Sequence, residues 1–136
     1  MKIEAFLLCD AATNQQGKLN VLGAFDNIFA RKTPVVHSAC AIACRVRFER
    51  TEEGEHNIRI DVIDSDGKNV MPPMNGKINV RIGKDVESNA VNLVLNVQGM
   101  RLEKFGEYQI DLSIDNRHEA SLPFYVREVP ERPASP

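Results

Sequence analysis

The sequence predicts an all-β protein, a two-layered sandwich of antiparallel strands, and three observations carry that reading. Val and Ile together number 23 against nine Leu, a balance that favours strands. Apolar and polar residues alternate at period two from end to end. Clusters of Gly, Asn, Asp and Pro separate the alternating runs at the spacing of short strands and turns. The 136 residues make one domain, residues 1–128, followed by a Pro-rich flexible tail, 129–136.

The elements follow in order. A first strand covers about residues 2–10 and a second about 18–30, with Thr13-Asn14-Gln15-Gln16-Gly17 as the turn. The first is apolar on both faces: Ile3, Ala5, Leu7 and Cys9 on one, Phe6 and Leu8 on the other. Such a strand needs covering twice, by its own chain or by a second subunit. In the third strand, about 38–50, Cys40, Ile42, Cys44, Val46 and Phe48 share the inward face, and Arg45, Arg47 and Glu49 share the outward one. The fourth, about 55–64, turns Ile58, Ile60 and Val62 inward and Arg59 and Asp61 outward.

Glu52-Glu53-Gly54 reads as a three-residue hairpin loop ending in a left-handed Gly, so Phe48 is expected opposite Ile58, and Val46 opposite Ile60. Ser65-Asp66-Gly67 has the same form and sets Val62 opposite Val70. Shorter runs at 68–71 and 77–83 are split by Pro72-Pro73. Three further strands carry Val91–Val97, Tyr108–Ile114 and Ala120–Val126, for eight or nine in all and no helix beyond one turn near 84–89. Pro123 marks the last strand as an edge.

Composition excludes several functions. A net charge of −2 gives no support to nucleic-acid binding. Phe6-Leu7-Leu8-Cys9 has the outline of a lipoprotein processing site, but the apolar run is too short for a signal and Glu4 interrupts it. No stretch approaches the ~20 apolar residues of a membrane helix. With three cysteines, too few and odd for a disulfide framework, the chain is expected to be cytoplasmic. Cys40 and Cys44 stand ~13 Å apart on one strand, too far to share a metal, and read as small buried hydrophobes.

No constellation points to catalysis, a cofactor or a metal. His37, His56 and His118 are scattered without partners at ligand spacing, and no serine sits in a nucleophile elbow. Asp64-Ser65-Asp66-Gly67 imitates the start of a calcium loop, but Asn75 stands where the bidentate Glu belongs. One feature is less ordinary. The hairpin register brings Arg47 opposite Arg59, with Arg45 nearby, a like-charge arrangement that Asp61 and Glu49 neutralise or that holds an anion or acidic partner surface.

Phe105-Gly106-Glu107-Tyr108-Gln109-Ile110-Asp111-Leu112 resembles the tyrosine-corner region of immunoglobulin-like sandwiches, and the hairpin through Asp115-Asn116-Arg117-His118 into Ala120–Val126 resembles their final strand pair. The resemblance implies that Tyr108 is a structural corner, buried and bonded to backbone upstream. The buried Trp and paired cysteines of antibody domains are absent, so the likeness is one of architecture. Ala5-Phe6-Leu7-Leu8-Cys9-Asp10 with the Gly17–Phe25 segment is similar to an uncharacterised family of short bacterial all-β proteins, which transfers no sites.

Two function classes result. The first is a non-enzymatic interaction or structural module that pairs with a protein partner or with itself, through a sheet edge or the first-strand face. The second is a sandwich that binds a small ligand, an anion or a carbohydrate.

Overall fold

The computed structural model describes residues 1–130. It is all-β, with nine strands: β1 (Lys2–Gln15), β2 (Lys18–Ala24), β3 (Asn27–Ala30), β4 (Val35–Glu49), β5 (Gly54–Ile63), β6 (Met74–Val80), β7 (Ser88–Leu102), β8 (Gly106–Ile114) and β9 (Arg117–Glu128). They form a four-stranded sheet, β2-β1-β4-β7, and a five-stranded sheet, β3-β9-β8-β5-β6. Period two does what it implies in both. Cys40, Ile42, Cys44, Val46 and Phe48 of one sheet and Ile58, Ile60, Val62, Tyr108, Ile110, Leu112, Phe124 and Val126 of the other meet in one buried core.

The expected hairpin at Glu52-Glu53-Gly54 is not one. β4 pairs with β1 and β7, whereas β5 pairs with β6 and β8, so the chain crosses between sheets at this corner. Phe48 and Ile58 both face inward, as expected, but from opposite sheets rather than side by side. The corner has its own chemistry. Glu49 and Glu52 form a capping box around a 3-10 turn, Arg50–Glu52. Arg50 donates to the carbonyls of Gly83, Lys84 and Val86, and Glu53 accepts from the Ile82 amide at 2.9 Å. The loop 81–87 therefore pins the corner. Gly54 then enters β5 at φ +128, a value that favours glycine.

The second expected turn forms as read. Ile63 bridges Asn69, Val70 donates to the Val62 carbonyl at 2.8 Å, and Gly67 takes φ +80. The Asp64 carboxylate accepts from the amides of Asp66 and Lys68, both at 2.9 Å, so the turn itself occupies the oxygen that the calcium reading needed.

The expected strand 18–30 divides in two. β2 pairs with β1, and after Phe25-Asp26 the chain joins the other sheet as β3, parallel to β9 from Asn27↔Tyr125 to Ala30↔Glu128. β9 is therefore covered from Tyr125 onward and uncovered at Pro123, which needs no donor there. Val129 donates to the Ala30 carbonyl at 3.0 Å, so the expected tail starts after it. Residues 131–136 of that tail lie outside the described residues.

The two-sided apolar face of β1 is resolved within the chain. A bulge between Ile3 and Ala5 moves Ile3 onto the same inward face as Phe6 and Leu8. On the outward face, Cys9, Ala41 and Ala43 are fully buried with Ala12, Leu19 and Val94 around them. The β1–β2 hairpin produces this cover by folding back over the sheet: its tip places the Gly17 carbonyl 3.1 Å from Asn92 Nδ2 and 3.4 Å from Arg45 Nη1. Alanines beneath it leave room for the backbone. No second subunit is needed to cover β1.

Candidate functional site

The three arginines singled out in the sequence are not together. Arg45 and Arg47 project from the outer face of the β4 sheet, and Arg59 projects from the outer face of the other sheet. The expected Arg47–Arg59 pairing required β4 and β5 to be neighbours, so it falls with the hairpin, and so does an anion held between them.

What neutralises Arg45 and Arg47 is Glu4. Its two carboxylate oxygens accept from Arg45 Nε at 2.9 Å and Arg47 Nε at 2.8 Å. The bulge in β1 aims Glu4 at this face. Arg45 also donates to Asn92 Oδ1 at 2.9 Å and Arg47 to Ser88 Oγ at 3.0 Å, which leaves both guanidinium groups spent inside the chain. The Arg47 hydrogen bond, opposed by burial and joined by the one from Arg45, holds the Glu4 carboxyl below its usual value. Sequence reasoning passed over Glu4, although a lone carboxylate in an apolar strand is a signal for a partner across the sheet.

Arg59 pairs with Asp61 on its own strand, at 2.9 and 3.1 Å. The like-charge pair that the sheets do contain is Asp61 opposite Asp111. Each carboxylate has separate donors, Arg59 and Asn69 for Asp61, Ser121 and Gln109 for Asp111. Arg59 also borders an open hollow of about 410 Å³ with Asn57, Asn75, Lys77 and Asn116. The three asparagine amides make no side-chain hydrogen bond within the described residues, so the hollow offers unspent polar groups to a small ligand.

Two further sequence-marked residues are structural. Tyr108 is buried, donates to the Lys104 carbonyl at 2.7 Å and accepts from the Lys104 amide at 3.2 Å, which completes the expected corner. His56 stacks on Phe48, with ring centroids 4.7 Å apart. Its Nδ1 meets Asp115 Oδ2 at 2.6 Å and its Nε2 the Glu52 carbonyl at 2.5 Å. Two acceptors on one ring suit the doubly protonated form. Burial works against that charge, but the hydrogen bonds to Asp115 and Glu52 outweigh it and raise the His56 pKa above 6.5. The same contact lowers that of Asp115 below 3.8.

The pair therefore has a pH window. Its His56 contribution is full below pH 6.5 and is lost as pH rises through the raised value; its Asp115 contribution is full above 3.8 and lost as pH falls. Thermal unfolding should show the melting temperature falling by a few degrees from pH 6 to 9, and His56→Gln should flatten that fall. An equal fall in both proteins would place the titration elsewhere.

The cysteines are free and buried. Burial pushes the thiol of Cys44 up to about 12; burial, aided by Cys9 and Asp10, pushes that of Cys40 up to about 11. Neither offers a thiolate at neutral pH.

The least accounted-for surface is the free edge of β7. This strand of 15 residues ends its sheet and bonds along its length only to β4. From Ser88 to Met100 it carries no charge and no proline. The other edge strands are shorter: β6 has seven residues with Lys77 at 70% exposure in its middle, β2 has seven and opens with Lys18, and β3 has four. Natural edges are blunted by charge, proline, bulges or shortness, and from Ser88 to Gln98 β7 has none of these; Gly99 at φ +64 and the charged Arg101 come only at its end. Beside it, between β6 and β7, Ile58, Met74, Ile78, Leu93 and Leu95 line an apolar opening of about 180 Å³.

A family model matches residues 4–127, from Glu4 through the last strand. The chain belongs to DUF6941, a family of unknown function. The DUF6941 match spans both sheets and so agrees with the resemblance to an uncharacterised all-β family. No curated protein matches the chain. Among solved structures, it is similar to the Pseudomonas fluorescens alkylpurine DNA glycosylase AlkC bound to DNA containing an abasic site analog, at 11% identity and a TM-score of 0.43. The match covers 93% of this chain and 30% of that one, so the chain spans under a third of the glycosylase's length. Among the described residues of this DUF6941 protein, no helix is long and apolar enough to cross a membrane.

Proposed function

We propose that this DUF6941 protein is a non-catalytic interaction module of immunoglobulin-like connectivity that engages extended backbone at the open edge of β7. The observation that carries the reading is that edge: 15 residues, unpaired on one side and uncharged to Met100.

The strand orders support the architecture. β1, β4 and β7 lie side by side as the A, B and E strands of such sandwiches do, and β9, β8 and β5 as G, F and C, with the Tyr108 corner on the F-like β8. In the four-stranded A-B-E-D sheet, strand D covers E. Here residues 81–87, where D belongs, hold no strand, because the loop is committed to the Arg50 corner. β7 is thereby left open. The internal neutralisation of Arg45 and Arg47 favours a contact that reads neutral backbone over one that reads phosphate.

A labelled peptide with the sequence of residues 88–100 tests this reading by fluorescence anisotropy. It should bind the protein and should lose that binding when Asn96→Lys places a charge on the edge. A peptide that does not bind, on an edge whose amides exchange freely with solvent, contradicts the reading. The second reading, a small polar or anionic ligand, is favoured by the Arg59 hollow and its three unspent asparagine amides.

A further inference from the structure

We infer that the occupant of the β7 edge is a second copy of the same chain, paired antiparallel about a two-fold axis through Val94. This rests on the edge reading above and goes further by naming the partner. Residues 91 to 97 read Val-Asn-Leu-Val-Leu-Asn-Val, the same in both directions. An antiparallel copy centred on Val94 sets Val91 against Val97, Asn92 against Asn96, Leu93 against Leu95 and Val94 against itself. Directly opposed residues in an antiparallel pair share a face. The structure turns Val91, Leu93, Leu95 and Val97 toward the core side and the Asn92 side outward, so every opposed pair from residue 91 to 97 is matched in kind as well as in face; the match ends before Gly99, whose φ of +64 turns Met100 inward.

A shift of the axis by one residue breaks the match. Centred on Leu93, Asn92 opposes Val94; centred on Leu95, Val94 opposes Asn96. The ends of the strand discriminate too. Glu87 precedes β7 and Arg101 stands one residue before its end, where it pairs with Glu103 at 2.6 Å, so the axis through Val94 carries Glu87 of one copy toward Arg101 of the other. A parallel arrangement sets like ends together. The apolar opening beside β7 gives the same answer from packing. A strand added to β7 lies across its mouth, and the inward Leu93 and Leu95 of the second copy come down toward Met74 and Ile78.

The arrangement closes on itself. Each copy spends its one long open edge, the two four-stranded sheets become one of eight, and no further chain can add there. Asn96, which is exposed, sits at the new seam, while Asn92 is already held by Arg45 and Gly17.

Sedimentation velocity at micromolar concentration tests the inference. The natural chain should sediment with the mass of two chains, and Asn96→Lys should weaken that association by about tenfold or more. Because Asn96 is exposed, the variant should stay folded, with the circular dichroism spectrum of the natural chain, and lose only the concentration-dependent part of its melting temperature; Asn96→Glu gives a second variant of opposite charge. A single-chain mass for the natural protein overturns the inference, as does an Asn96→Lys protein that associates unchanged. If the natural chain is single but the 88–100 peptide binds it, the second-copy inference fails and the edge reading stands. If the peptide also fails, both fall.

Discussion

Phe124→Ala should cost about 3–5 kcal/mol, the usual range for emptying an aromatic site in a closed core. Phe124 is fully buried on the inward face of β9 and lies 5.2 Å from the Tyr108 ring, its cross-strand partner on β8. Its neighbours Ile110, Leu112 and Val126 are held in strands on both sides, so they cannot collapse into the space. A domain with about 5–15 kcal/mol in total loses much of its stability with that ring. Urea unfolding followed by fluorescence or circular dichroism reads the effect. A cost under about 1 kcal/mol would mean that β9 does not close this core.

Tyr108→Phe should cost about 1 kcal/mol or more although it removes one atom. The hydroxyl both donates to the Lys104 carbonyl and accepts from the Lys104 amide. Phe keeps the ring but leaves two part-buried backbone groups without their partner, and such groups lose more than the hydrogen bond itself contributed. The denaturation midpoint should fall with the slope unchanged. An unchanged midpoint would mean that water replaces the hydroxyl at no cost.

What the sequence revealed and what it hid divide by range of interaction. Which way each side chain faces is local, set by alternation, so Cys40 through Phe48, Ile58 through Val62 and Tyr108 through Val126 were legible before any coordinates. Which strand lies beside which is not local. Glu52-Glu53-Gly54 matches a hairpin loop in composition, and only the distant loop 81–87, through Arg50 and Glu53, decides that it is a corner between sheets. The same limit hid Glu4: its partners Arg45 and Arg47 are some 40 residues away, and a bulge aims it. The Tyr108 corner was legible because donor, acceptor and ring lie within five consecutive residues. The β7 edge needed both kinds of information. Its composition was in view from the start, but only the sheet order showed it to be uncovered.

That edge is the centre of the account, and a cross-link reads it most directly. In Val94→Cys the introduced thiols face each other across the two-fold, with Cβ atoms about 4.5–5.5 Å apart, near enough for a disulfide after slight adjustment. The native Cys40 and Cys44 are buried on the inward face, and Cys9, buried in the cluster that Val94 packs against, is replaced by Ala in both variants so that it cannot capture the new thiol. In Asn96→Cys the same axis holds the two thiols about 13 Å apart along the strands, beyond reach. Mild oxidation should therefore yield a covalent dimer from Val94→Cys and none from Asn96→Cys. Cross-linking in neither variant, or in Asn96→Cys alone, would contradict a two-fold β7 pair centred on Val94.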